Sequence, residues 1–372
     1  MGFHVLAALA GSGLLLIALA DAFDTIVLAR RAERIFRLTG WFYAVTWRAF
    51  TFFARRVHEG QRRERVLSVY GPLSLLALLA LWALAIVISF TLLHWAAGLQ
   101  IGHESGIAFD LFFSAAALST MSPGTPGNPV SRFLLVLEAG LGISLLGLVV
   151  GYLPVLYQSF AEREQHISLL DARAGSPPAA SELIVRQGRS ASRFEAQLAA
   201  WERWAAGMLE TQLSYPMLAY FRSQHENQSW LGALVTILDA SSVTVLCGEG
   251  DLRHQAALTF AMCRHALADL VTVYRLQPPQ PAPPDRLPAA GFDRLRDAIA
   301  GAGTVLDISR LSPDGLAKLR AMYEPFAASL SHRFLMAVPG WLPTRPEPDD
   351  WLRSSWDRQP PPYAVSDPFQ AG

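Results

Sequence analysis

Two long apolar runs, residues 72–95 and 133–157, flank a shorter one at residues 109–124. The short run reads Phe-Asp-Leu-Phe-Phe-Ser-Ala-Ala-Ala-Leu-Ser-Thr-Met-Ser-Pro-Gly. Either long run can cross a bilayer as a helix, which takes about 20 apolar residues. Residues 110–120 cannot, because as a helix they reach only about 16 Å at 1.5 Å per residue. Pro123, Gly124, Pro126, Gly127 and Pro129 then rule out a continuous helix. Irregular backbone at membrane depth is tolerated only when buried in protein or lining a water-filled cavity. The segment is therefore either re-entrant or an external loop carrying an amphipathic helix.

A third apolar run, residues 4–28, is interrupted by Gly11, Gly13, Asp21 and Asp24. It lacks the positive start of a signal peptide, and apolar character resumes at residues 26–28 beyond the cleavage-like Ala18-Leu19-Ala20, so a membrane helix is expected. Asp21 and Asp24 near its end are expected to reach water or to pair with Arg30 and Arg31; a gating role is the sharper alternative.

Charge sets the orientation. The connection to residue 72 carries Arg30, Arg31, Arg34, Arg37, Arg48, Arg55, Arg56, Arg62, Arg63 and Arg65 against Glu33, Glu59 and Glu64, whereas residues 98–131 hold no Lys or Arg. By the positive-inside rule the first is cytoplasmic and the second external. Three spans then leave the N-terminus outside and the C-terminal half in the cytoplasm. Trp41, Phe42, Tyr43, Trp47, Phe50, Phe52 and Phe53 interleave with Arg48, Arg55 and Arg56. That mixture fits a helix lying in the interface, its guanidinium groups facing membrane lipids; the alternative is a helix packed on the C-terminal half.

Leu118-Ser119-Thr120-Met121-Ser122-Pro123-Gly124 matches Thr-Val-Gly-Tyr-Gly at Thr120 and Gly124. With Glu138-Ala139-Gly140, Gly151-Tyr152-Leu153-Pro154, Arg163-Glu164 and the stretch from Leu169 to Pro178, the chain resembles the bacterial potassium-channel family with two spans and one pore loop, here with an extra N-terminal span. The resemblance implies a homotetramer in the bacterial inner membrane, a filter at Thr120, Met121, Ser122, Pro123 and Gly124, and a transported monovalent cation, K+, with no cofactor. In such filters backbone carbonyls replace the ion's hydration shell, and glycines allow the positive φ that aims them inward. Ser122 stands where the first filter glycine belongs, and forcing it left-handed costs roughly 1–2 kcal/mol. It also precedes Pro123, which pushes it toward extended backbone. Altered selectivity and a closed filter both follow as readings.

Around the filter, Glu104 and Asp110 make any external vestibule favour cations. Glu138 is expected to pair with filter N–H groups or with Arg132. Gly140, Gly142, Gly147 and Gly151 read as close packing or, at Gly140 and Gly142, as a hinge.

From residue 160 onward, apolar residues at helical spacing predict helices over 183–213, 231–247, 256–274 and 311–334. Trp201, Trp204 and Trp230 are expected in a core. The prolines of residues 277–288 predict a loop or linker, and the tail after Pro339 is again proline-rich. Cys247 and Cys263 have no metal-ligand neighbours at a familiar spacing. No dinucleotide or Walker loop and no metal-spaced His pair occurs, so no enzyme chemistry is expected. A formal net charge of +0 and the lack of a basic or aromatic motif argue against nucleic acid. The expected architecture is an all-α membrane protein: an N-terminal transmembrane helix (1–30), basic-aromatic helices (31–71), a pore domain of span, re-entrant pore helix and span (72–158), and a helical cytoplasmic domain (159–372).

Overall fold

The computed structural model describes residues 2–26, 38–57, 60–121, 124–225 and 227–343. Arg30, Arg31, Arg34, Arg37, Glu59, Ser122, Pro123 and the end of the proline-rich tail lie outside them. The chain divides into two compact units, Met1–Gln158 and Ser159–Gly372. The described residues are helical apart from one short hairpin. Among the described residues five helices are long and apolar enough to cross a membrane: Gly2–Ile26, Arg62–Ala96, Pro129–Ala174, Trp230–Cys247 and Gly250–Val273.

In the first unit, α1 (Gly2–Ile26) packs on α3 (Gln61–Ala96) through the small residues Ala7, Gly11 and Ala18. A Cβ at Gly11 would stand 2.8 Å from the Ser89 carbonyl oxygen, so only glycine lets the two backbones approach this closely. α2 (Leu38–Ala54) leans on the start of α3, with Trp47 and Tyr70 edge-on at 4.7 Å.

Asp21 ties the three together. Its carboxylate accepts from the Thr39 hydroxyl at 2.6 Å, from the Thr39 backbone N–H at 3.1 Å and from Trp82 Nε1 at 3.0 Å. Asp21 is 5% exposed, so it does not reach water as expected. It satisfies an orphan N–H in the first turn of α2, where a carboxylate is favoured by the helix dipole.

After α3 the chain makes the hairpin of β1 (Gln100–Ile101) and β2 (Glu104–Ser105), antiparallel with Ile101 opposite Glu104. It then enters α4 (Ile107–Leu118), which runs back along α3. Ser114 Oγ donates to the Val87 carbonyl at 2.9 Å, a point about 13 Å before the end of α3 at 1.5 Å per residue. Beyond α4 the chain returns to the hairpin. Gly127 N–H donates to the Gln100 carbonyl at 3.4 Å, and Asn128 Nδ2 to the Gly98 carbonyl at 3.3 Å. There α5 (Pro129–Ala174) begins and passes α4 in the same direction, since Glu138 meets Ser114 and Gly142 meets Leu118. α5 is continuous through Gly140 and Gly142. Its apolar window is only 6% buried, and Val136, Ile143, Leu146 and Val150 are exposed.

The second unit is built around α8 (Trp230–Cys247), whose residues are buried from Trp230 through Thr244. A helix apolar on all sides belongs inside a core, and here α7 (Ala191–Ser214), α9 (Gly250–Val273) and shorter helices surround it. Trp201, Trp204 and Trp230 are all buried. The helix expected over 183–213 is two, α6 (Ala180–Gln187) and α7, separated at Gly188. The Ser190 hydroxyl caps α7, a local signal that outweighs the continuing apolar pattern. α10 (Ala289–Gly301) was not expected. The last expected helix divides into α11 (Pro313–Ala321) and α12 (Glu324–Phe334), with Pro325 opening the second.

Residues 277–288 are irregular, but their end is anchored rather than free. Arg286 grips Asp239 at 2.5 Å and the Pro339 carbonyl at 2.7 Å, and the Tyr323 hydroxyl completes the Asp239 carboxylate. Asp239 is 1% exposed, and a buried charge is tolerated only when so paired. Next to it, Arg320 binds Asp285 and Glu324.

Candidate functional site

The turn that ends α4 carries the family-like residues. Thr120 N–H donates to the Ala117 carbonyl at 3.0 Å and Met121 N–H to the Ala116 carbonyl at 2.9 Å. Thr120 is left-handed, φ 60°. This is a Schellman cap, a position usually given to glycine. A β-branched residue there is a genuine outlier, and such strain gathers at functional sites. The Thr120 backbone thus terminates α4, and the Met121 side chain is exposed. Gly124 also has positive φ, 105°, and lies against Ile101. Arg132 Nε donates to the Pro126 carbonyl at 2.8 Å, so residues 124–132 are fastened to one another and to the hairpin.

Behind this turn lies a buried polar cluster. Glu138 of α5, His94 of α3 and Ser114 of α4 are each fully buried. Ser114 Oγ is hydrogen-bonded to Glu138 Oε1 as well as to the Val87 carbonyl, two acceptors for its one proton, and His94 Nε2 lies 3.4 Å from Glu138 Oε2. Among the described residues Glu138 therefore meets Ser114 and His94 rather than Arg132 or the N–H groups of Thr120, Met121 and Gly124, the partners expected for it, while Ser122 lies outside those residues: its depth along α5 matches the middle of α4. Asp110, in the first turn of α4, is 1% exposed, whereas Glu104 is exposed. The His94 ring stands edge-on to Phe113 at 5.0 Å.

Gly140 faces open space, while Gly142 touches the Leu118 carbonyl. On α2, Arg48, Trp41, Val45, Phe52 and Phe53 are exposed, as are Arg55 and Arg56 in the turn just beyond it; the Arg56 guanidinium lies 3.9 Å over the Phe52 ring. The other face of α2, with Phe42, Tyr43 and Trp47, is buried.

His94 and Ser114 were not singled out from the sequence. A histidine at the end of an apolar run was the available signal, since ionisable residues in spans mark functional positions. Among the described residues no group of three or more His, Cys, Asp or Glu is arranged to hold a metal ion. The chain matches no family model, no curated protein and no solved structure.

Proposed function

We propose that this chain is one subunit of a potassium-channel-like cation pore in the bacterial inner membrane, with α1, α3 and α5 as spans and α4 as the re-entrant pore helix. What carries the reading is the path of residues 107–129: half a membrane's depth of helix back along α3, a capped turn at Thr120, a return to the hairpin, and a new long helix. A chain needs such a path to bring irregular backbone to membrane depth. Each subunit supplies one loop, so a central pore requires several copies, four by analogy with known filters. The exposed apolar surface of α5 leaves room for neighbouring copies and lipid. Arg48 on α2 and Arg55 and Arg56 just beyond its end face anionic headgroups, and the second unit lies in the cytoplasm, with α8 as its core rather than as a fourth span.

A second reading is a non-conducting scaffold or sensor on the same plan. The left-handed Thr120 favours it, because that residue closes α4 instead of opening an extended row of carbonyls.

Potassium and sodium flux into liposomes carrying the purified protein decides between them, with Ser122→Gly/Pro123→Tyr as comparison. Flux through the wild type supports the pore. A silent wild type with a conducting double variant means a closed native filter. Silence of both, in particles that are not tetrameric, ends the channel reading.

A further inference from the structure

His94, Asp110 and Glu138 are buried on three different helices, with the His94 ring against Phe113 at 5.0 Å and 6.3 Å from that of Phe90. Glu138 holds Ser114 and faces His94. Among the described residues, His94 Nδ1 and Nε2, Asp110 Oδ1 and Glu138 Oε2 have no hydrogen-bond partner, and Asp110 lies one turn of α4 before Ser114. Two carboxyl groups and one imidazole are neutral together only with two protons shared among three places. Fully deprotonated they hold two negative charges away from water, which is costly. Such a set takes up and releases protons in steps that belong to the group rather than to one residue.

Among the described residues no other charge pairs with them. α1 brings His4, whose Nδ1 lies 3.3 Å from the Trp95 carbonyl, and Asp21, bound to Thr39 and Trp82. The hairpin brings His103 and Glu104, both exposed. Arg132 of α5 is turned to Pro126. None makes an ion pair with the three among the described residues.

We propose that His94, Asp110 and Glu138 form a proton-binding site whose occupancy sets how firmly α4 is held between α3 and α5. The ligand is a proton. Ser114 has one hydroxyl proton for two acceptors, Glu138 Oε1 and the Val87 carbonyl of α3. A protonated Glu138 donates to Ser114 Oγ and leaves the Ser114 proton on Val87, whereas an ionised Glu138 takes that proton and the bond from α4 to α3 is given up. The Thr120 turn lies at the end of the helix so released. The site rests on burial and side-chain chemistry, so it stands whether or not the pore conducts.

The test is a nitroxide on Ser119→Cys in the full chain, reconstituted in liposomes. Cys247 and Cys263 are buried and stay unlabelled in the native state. The spin-label lineshape is expected to change with pH through one transition, which is lost in Glu138→Gln and in His94→Gln, each shown to be folded by its thermal transition. Asp110→Asn, which keeps the shape, is expected to shift the midpoint. A pH-independent lineshape in the parent, or an unaltered transition in the variants, overturns the proposal.

Discussion

A Cβ placed on Gly142 would stand 2.1 Å from the Leu118 carbonyl oxygen. No side-chain rotation relieves that contact, since both partners are backbone. Gly142→Ala is therefore expected to push α4 off α5 and to destabilise the protein by about 1–3 kcal/mol, the usual cost of overpacking. Gly140→Ala meets nothing within 4 Å and replaces a poor helix former by the best one. It should be neutral or slightly stabilising. Thermal unfolding of both purified variants in the same detergent checks the contrast; equal losses would refute it.

Asp21 supplies the acceptors for Thr39 and Trp82 Nε1. Asp21→Ala leaves those buried donors unsatisfied, at about 1–3 kcal/mol. Asp21→Asn keeps one acceptor oxygen and should lose less. Denaturation followed by tryptophan fluorescence ranks the two, and an Ala variant as stable as the wild type would mean that Asp21 does not join α1, α2 and α3.

In the second unit, Arg286→Met strands Asp239 at 1% exposure beside Tyr323. Removing one partner of a buried pair costs about 3–5 kcal/mol, whereas replacing both with apolar residues is far milder. The double variant Arg286→Met/Asp239→Leu is thus expected to be more stable than Arg286→Met alone. Chemical denaturation of the three proteins measures the non-additivity.

Acid should loosen the same region. The hydrogen bond from Arg320, helped by the Leu287 backbone N–H, holds the Asp285 carboxyl below the usual carboxylate range. Its ionised form therefore stabilises the fold, fully so above the unfolded value of about 3.9, and the contribution disappears as pH falls through the lower folded value. Asp285→Asn is expected to be less stable than the wild type at pH 7, the gap beginning to close as pH falls below about 3.9 and vanishing only below the lower folded value. Stability-versus-pH curves that stay parallel would count against the Arg320 contact as the cause.

The apolar runs at residues 4–28, 72–95 and 133–157 read directly as helices, because length and hydropathy are local properties. α3 nevertheless begins at Gln61 and continues through Pro72, where proline and arginine obscured its first turns. Gly140 and Gly142 are equivalent in sequence; one faces open space and the other a carbonyl. Glu138 was visible as an odd charge, but its partners His94 and Ser114 lie far from it along the chain. Arg286 read as part of a proline-rich loop, and nothing local announced that it would neutralise Asp239 in the middle of α8.

By itself the sequence determined that the chain is helical, that its apolar segments are of membrane length, and that positive charge is excluded from residues 98–131, since all of these follow from the order of residues along one strand of chain. Only the tertiary structure decided that α4 folds back beside α3, that Thr120 closes it, and that His94, Ser114 and Glu138 meet between α3, α4 and α5. Those outcomes depend on which faces of separate helices come together, and close packing settles that through backbone contacts such as Gly142 with Leu118.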